Sequence, residues 1–316
     1  MENINRRGFI RSIFSLGSLL PQSVQDAEAS KGHEQKGAGK SVDFSYFWSD
    51  LKTGQVGFPS GLIVPRTQPG SVMKIVTAAC LIDDLHHNQN ETHECTGTAV
   101  IGRHKIHCQH AHGKIALVDA LGMSCNIYFA LASQKLSMHM LLDKARAFGL
   151  DRACAGTPAG SFPQTRDGAP SLTYALGLAP DLEPNLLQLM RLAALVGLAP
   201  GAALPILHSA ENLDLIPKEQ ALKSPLTERS HGLIVEGMRL AARKGTARKL
   251  DPEDQLHVAV KTGTVPHGAR FQSCAVGFFP IDKPRHAFAI FAPAGTSQDA
   301  AIPRLHQFLF STTWPS

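Results

Sequence analysis

The chain has 316 residues, 43% of them hydrophobic, enough for a substantial core in one large domain or two small ones. Its 31 basic and 26 acidic residues leave a formal net charge of +5, and no Lys/Arg block is long enough to form a nucleic-acid patch. Nucleic acid is therefore not an expected partner, whereas a mildly basic surface suits an anionic cell-envelope polymer.

The first residues read as a targeting segment. Arg6-Arg7-Gly8-Phe9-Ile10 is a twin-arginine pattern, and no charge occurs from Ser12 through Gln25. Only about half of that stretch is strongly apolar, short of the roughly 20 residues of a membrane span. Residues 1–29 are thus expected to be a signal peptide, ending at the small-x-small site Ala27-Glu28-Ala29. Residues 30–41, polar and glycine-containing, read as a flexible leader, which leaves 42–316 as the folded domain.

Residues 44–58 have the pattern of a hairpin, with strand-like 44–48, turn chemistry over 50–54 and a second strand over 55–58. From 71 to 85 the pattern is helical and apolar nearly all round, which belongs in a core; Pro69-Gly70 punctuates its start. Residues 115–149, 184–197 and 226–243 are further helices. Strands are then expected over 257–260, 272–279 and 286–291, and 298–312 is expected to be a closing amphipathic helix. Strands at both ends with helices between predict an α+β fold: an antiparallel sheet built from both chain ends, flanked by helices, with an all-helical subdomain.

The six cysteines permit disulfides in an exported chain. Cys95 and Cys108 are the best candidates for a pair, because they flank 96–107, where Ala99-Val100-Ile101 and Lys105-Ile106 suit a short hairpin across Gly102. Cys80 and Cys125 sit in apolar patterns and read as small buried fillers. His104, His107, Cys108, His110 and His112 crowd one segment, but no second ligand group of matching spacing follows, so no metal is expected.

Serine attacks a carbonyl well only when a neighbouring group takes its proton. In Ser71-Val72-Met73-Lys74 the spacing puts both side chains on one helix face, and burial in an apolar helix lowers a lysine's pKa toward that of a useful base. The same Ser-x-x-Lys pattern occurs in Ser49-Asp50-Leu51-Lys52, where Asp50 and Gly54 indicate a turn without the helical geometry. Ser124-Cys125-Asn126 is the only Ser-x-Asn in the chain and projects polar groups from an apolar stretch, as a cleft-facing pair would; a helix cap at Ser124 is the plainer account. Lys261-Thr262-Gly263-Thr264 follows a strand and offers a cation, hydroxyls and an unobstructed backbone, with Gly263 expected to let a ligand approach closely.

This ordered set resembles the penicillin-binding protein transpeptidase domain, related to the serine β-lactamases. The resemblance spans roughly 42–312 and takes in 108–129 around Ser-x-Asn, 174–188 (YALGLAPDLEPNLLQ) and 232–247 ending Lys244-Gly245-Thr246-Ala247. It implies a serine D,D-transpeptidase or D,D-carboxypeptidase acting on D-Ala-D-Ala peptidoglycan stem peptides, with β-lactams as further ligands, no cofactor, possible cell-wall synthesis or remodelling partners, and a periplasmic or cell-envelope location. Residue by residue it implies that Ser71 is the nucleophile and Lys74 its base, that Ser124 shuttles the proton, and that Lys261 holds Ser124 electrostatically. Asn126 would hydrogen-bond the substrate backbone, Thr262 and Thr264 its carboxylate, and the N–H groups of Ser71 and Thr264 would form the oxyanion hole.

Three departures matter. Leu187 stands where a class A β-lactamase would carry the asparagine after its deacylating glutamate, so Glu183 is not expected to deacylate. In the Gly-x-Gly stretch Gly177 matches, but Ala179 replaces the second glycine. Residues 30–43 are too short for the N-terminal module of large family members. A secreted β-lactamase and a non-enzymatic β-lactam-binding or scaffold protein remain the alternatives.

Overall fold

The computed structural model describes residues 44–57, 63–164, 172–209 and 221–314. The expected signal peptide, the leader and Phe58 of the first hairpin lie outside the described residues.

Residues of both chain ends build the main sheet. β1 (Ser45–Asp50) turns back into β2 (Gln55–Gly57), and near the C-terminus β8 (Ala259–His267), β9 (Arg270–Phe279) and β10 (His286–Ala292) form a meander. β1 pairs antiparallel with β10, Ser45 opposite Phe291 and Asp50 opposite His286, which brings the ends together. A two-residue strand from the middle of the chain, β7 (His208–Ser209), joins the far edge parallel to β2. The order is β7-β2-β1-β10-β9-β8, so the sheet is antiparallel except at β7, and β8 forms the other edge.

The first turn explains itself. Asp50 Oδ1 accepts from the N–H groups of Lys52 and Thr53, each at 2.8 Å. Gly54 takes φ +79°, a left-handed conformation that glycine adopts without cost. Ser49-x-x-Lys52 is therefore a hairpin turn, as its sequence suggests.

β10 is buried along its whole length and alternates between two cores. Ala287, Ala289 and Phe291 face the larger cluster, while Phe288, Ile290 and Ala292 face the smaller. The larger is filled by the helices between the sheet halves: α1 (Lys74–Ala79), α2 (Leu117–Gly122), α3 (Asn126–Ala132), α4 (Met138–Ala147), α5 (Leu172–Ala175), α6 (Leu186–Gly197) and α7 (Glu228–Arg243). The smaller is closed by α8 (Ile302–Ser311) through Ile302, Leu305, Phe308 and Leu309. Each such side chain, fully buried, contributes about 1.5–3 kcal/mol.

α6 is buried at every position. Asn185 and Gln188 form a capping box at its start, and Gln188 Nε2 also donates to the carbonyls of Leu150 and Arg152 at 2.8 and 3.0 Å. The glutamine of the 174–188 stretch thus satisfies backbone groups that burial would otherwise orphan.

Two expectations need correction. The predicted continuous helix over 115–149 is interrupted twice: Ser124 and Cys125 leave helical geometry between α2 and α3, Leu136 and Ser137 do so between α3 and α4, and β6 (Gly113–Ile115) precedes α2. The helical insertion is also not all helix. β3 (His93–Cys95) pairs with β6, and β4 (Thr98–Ile101) pairs with β5 (His104–His107) across Gly102 at φ +58°. The β4–β5 ribbon is the short hairpin that 99–106 suit, and Gly97, Gly102 and Gly113, all at positive φ, supply its turns and those of the β3–β6 pair.

Candidate active site

Ser71 sits at the head of a helical run. Gly70–Met73 is a 3-10 turn leading into α1, and Cys80–Asp84 is a π turn that ends the run. Two glycines shape the turn. Gly70 (φ +52°) donates to the Gly177 carbonyl at 2.9 Å, and a Cβ on Gly177 (φ +70°) would strike the Gly70 carbonyl oxygen. A Cβ on Gly263 would lie 2.5 Å from Pro69 O. The bare Cα of Gly263 admits the Pro69-Gly70 turn, seating Ser71 beside edge strand β8. Thr264 N lies 3.4 Å from where a Gly70 Cβ would stand, so Thr264 borders the same turn.

Lys74 and Lys261 are both fully buried. Lys74 Nζ donates to Asn126 Oδ1 at 2.5 Å, to the Ser124 carbonyl at 2.8 Å and to Ser124 Oγ at 3.3 Å. Lys261 Nζ reaches the same hydroxyl at 2.9 Å and the Thr262 carbonyl at 3.0 Å. Helix α1, the α2–α3 junction and strand β8 therefore converge on Ser124 Oγ. Burial pushes the Lys74 pKa down to about 8. Burial, and then the nearby Lys74 charge, push Lys261 well below its ordinary value.

Ser124 takes φ +57°, left-handed backbone for a residue with a Cβ. It is not the helix cap: Cys125 caps α3, its Sγ accepting from Tyr128 N at 3.3 Å. Asn126 Nδ2 donates to His107 O at 2.7 Å, tying the turn to β5. Lys261-Thr262-Gly263-Thr264 lies within β8, not after it, so Lys261 and Gly263 share one face and the threonines the other. Thr262 Oγ1 donates to Thr246 Oγ1 at 2.7 Å. Thr264 Oγ1 donates to Ser297 Oγ at 3.2 Å and accepts from Ser297 N at 3.0 Å. Thr246 also lines a recess with Arg248, Lys249, Gln298 and Ile302.

Several expectations resolve here. All eight predicted site residues fall on the α1 head, the α2–α3 junction or β8. Among the described residues, no hydrogen bond links the Glu183 carboxylate to Ser71, Lys74, Ser124 or Asn126; its backbone bridges to Ser161 instead. Thr246 and Ser297 were missed as members of the site. Thr246 lay in the noted Lys-Gly-Thr-Ala turn, but nothing local marks Ser297, since only the fold brings it to Thr264.

The cysteines also depart from expectation. No disulfide joins the cysteines among the described residues, so the expected Cys95–Cys108 pair does not form. Cys95 Sγ faces His112 Nδ1 at 3.3 Å, and Cys108 Sγ faces Cys125 Sγ at 3.8 Å. Together Cys95, Cys108, His112 and Cys125 place a ligand atom each within 4.8 Å of one another, a set able to hold a metal ion. The expectation that no such group exists is corrected: the ligands come from separate turns and ribbons, which linear spacing does not reveal.

A mixed sheet-and-helix domain that gathers Ser-x-x-Lys, Ser-x-Asn and Lys-Thr-Gly at one strand edge defines the class of serine acyl-transfer folds related to β-lactamases. Residues 35–307 match the family of the penicillin binding protein transpeptidase domain. The chain belongs to that family. It is 23% identical over 293 residues to the penicillin-binding protein PbpB of Mycolicibacterium smegmatis, covering 80% of this chain and 44% of that protein, so it spans less than half of this relative's length. Its fold is similar to Pseudomonas aeruginosa PBP2 in complex with WCK 5153, with TM-score 0.73 and 18% identity over 84% of this chain and 70% of that one. It is also similar to Helicobacter pylori PBP2 in its complex with MreC, with TM-score 0.69 and 19% identity over 85% and 60%.

Proposed function

We propose that this chain is a serine D,D-transpeptidase that cross-links peptidoglycan stem peptides through an acyl-enzyme on Ser71, and that it acts as a D,D-carboxypeptidase where water replaces the amine acceptor. The observation that supports this most is the meeting of two fully buried lysine ammonium positions on one hydroxyl, Ser124 Oγ, beside the head of the Ser71 helix.

In this reading Ser71 Oγ attacks the penultimate D-Ala carbonyl and its proton passes to neutral Lys74 Nζ. The oxyanion is held by the N–H groups of Ser71 and Thr264, a contribution of roughly 3–4 kcal/mol per donor in comparable sites. The tetrahedral intermediate then collapses: the C–N bond to the terminal D-Ala breaks, and Lys74 returns the proton to the leaving amine through Ser124. An acceptor amine, or water, then attacks the ester carbonyl and gives a proton to neutral Lys74, which passes it to Ser71 Oγ as the ester C–O bond breaks. Burial and the Lys74 charge together oppose two protons on the lysine pair, so the pair holds one proton more readily than two, and acylation in this reading runs through the state in which Lys74 is neutral.

The substrate is read as an added strand along the free edge of β8. Its terminal carboxylate would lie by the hydroxyls of Thr262 and Thr264, with Arg248 and Lys249 supplying positive charge from the neighbouring recess. Asn126 Nδ2 carries a second N–H beyond the one given to His107, suited to a substrate carbonyl.

Incubation of the protein with a labelled penicillin, followed by intact mass over time, tests the proposal. A persistent adduct absent from Ser71→Ala is expected. Rapid turnover of the adduct would favour a β-lactamase instead, and no reaction with penicillin or with a D-Ala-D-Ala peptide would leave a binding or scaffold role. Release of D-Ala with and without an amine acceptor separates the two D,D activities. We further propose export by the twin-arginine route, with a cell-wall synthesis or remodelling partner outside the cytoplasm. Replacing Arg6-Arg7 with Lys-Lys in a reporter fusion should trap the protein inside the cell, and unchanged export would overturn that route.

A further inference from the structure

We propose that Cys95, Cys108, His112 and Cys125 form a structural zinc site that clamps the Ser124-Cys125-Asn126 turn. Zinc bound at about 2.3 Å by sulfur and 2.0–2.1 Å by nitrogen in a tetrahedron separates two sulfurs by about 3.8 Å and a sulfur from a nitrogen by about 3.6 Å. Cys108 and Cys125 stand 3.8 Å apart, and Cys95 Sγ stands 3.3 Å from His112 Nδ1. All four ligand atoms lie within 4.8 Å of one another.

The surroundings suit thiolates more than buried thiols packed as apolar filler. Asn126 N donates to Cys108 Sγ at 3.2 Å and Tyr128 N to Cys125 Sγ at 3.3 Å, the backbone support that orients metal ligands. The three cysteines are buried and the histidine half-buried, so the site is closed, with no position left for substrate. Three sulfurs and an imidazole select zinc over harder divalent ions.

The position gives the site its purpose. Cys125 lies between Ser124, held at φ +57°, and Asn126, which receives Lys74. The other three ligands come from the end of β3 and the loop between β5 and β6. An ion at the centre bonds the α2–α3 junction to both ribbons, fixing a turn whose backbone is otherwise unfavourable. The metal-binding claim stands apart from acyl transfer; the clamp's effect on acylation rests on the function proposed above.

The test begins with the metal content of the intact protein purified under reducing conditions with zinc present. About one zinc per chain is expected, and cobalt substitution should give the intense visible bands and thiolate charge transfer of a tetrahedral sulfur-rich site. Cys95→Ser and His112→Ala, both outside the acyl-transfer residues, should each weaken zinc by at least roughly 10–100-fold. Stripping the wild type with a chelator should lower its Tm and slow labelled-penicillin acylation, and zinc should restore both. A protein that stays metal-free after anaerobic reconstitution, or a native Cys108–Cys125 disulfide in its place, overturns the site. Zinc bound without any effect on acylation overturns the clamp, while zinc bound in a chain that never acylates overturns the functional reading and leaves the site standing.

Discussion

Lys261 Nζ lies 2.9 Å from Ser124 Oγ, and Lys74 Nζ approaches that same oxygen at 3.3 Å. One hydroxyl on a left-handed residue thus joins a strand to a helix that begins almost two hundred residues earlier. Glycine tolerates φ +57° without the roughly 1–3 kcal/mol that such backbone costs other residues. Ser124→Gly relieves that strain but takes a partner from two buried lysines, at about 1–3 kcal/mol, so Tm should stay near wild type while acylation slows by about 10²–10⁴, the usual worth of a positioned proton carrier. A variant that acylates at the wild-type rate would remove Ser124 from the proton path.

The pH profile follows from Lys74. Burial lowers its pKa to about 8, so below that pH the amine is mostly protonated and unable to accept the Ser71 proton. The rate of penicillin acylation should fall about tenfold per pH unit below 8 and level off above it. Stopped-flow or quench measurements across this range read the profile directly; a rate independent of pH would argue against Lys74 as base.

Lys74→Met tests the same residue through stability. The folded pKa of about 8 is lower than the unfolded value of roughly 10.4. Between them the unfolded chain binds more protons, so wild-type stability should rise with pH across that window. Below it, keeping the buried ammonium costs on the order of 3 kcal/mol. The Met variant escapes that cost but strands Asn126 Oδ1 and the Ser124 carbonyl, at about 1–3 kcal/mol each. Acylation should be lost with Tm at pH 7 near wild type, and the rise in stability between pH 8 and 10 should flatten in denaturant titrations.

Gly263→Ala and Gly177→Ala should both displace the turn that holds Ser71. The new Cβ meets Pro69 O at 2.5 Å in the first and the Gly70 carbonyl in the second, which also has φ +70°. Each should cost about 1–3 kcal/mol and slow acylation more than its effect on Tm suggests. Ala at Gly102, where a Cβ meets nothing within 4 Å, is the control for positive φ alone.

Asn185→Ala should act on stability without acting on chemistry. It removes the α6 cap and a 2.8 Å hydrogen bond to Pro158 O. A loss of about 0.5–2 kcal/mol is expected from the cap, with acylation at saturating penicillin unchanged. A large drop in acylation would mean that α6 transmits strain to the site.

Much of the site was legible because its chemistry depends on short spacings. Ser71 and Lys74 share a helix face, and the decoy at Ser49 and Lys52 carries its own turn signals in Asp50 and Gly54. Lys261 stands out as a cation directly after a strand pattern, although folding places it inside β8. The purpose of Gly263 was not legible, because the group that needs its missing side chain, Pro69 O, is brought there by folding. Thr246 and Ser297 were hidden for the same reason: ordinary hydroxyls become site residues only through Thr262 and Thr264.

The break at Ser124 and Cys125 was obscured by the apolar pattern on both sides. Periodicity reports which residues want burial, and Leu121, Cys125 and Ile127 around a left-handed Ser124 are buried whether or not the helix continues. The cysteines make the contrast sharpest. Proximity in the chain favoured a Cys95–Cys108 pair, while the ribbons turn Cys95 toward His112 and Cys108 toward Cys125.

By itself the sequence determined the α+β class, the family and the residues able to carry the chemistry, since periodicity and short-range spacing are local properties of the chain. Only the tertiary structure decided that two buried lysines share one serine, that Gly263 makes room for the Pro69 carbonyl, and that three cysteines and a histidine converge. Those are contacts between segments far apart in sequence, and their geometry exists only once the sheet has closed across both chain ends.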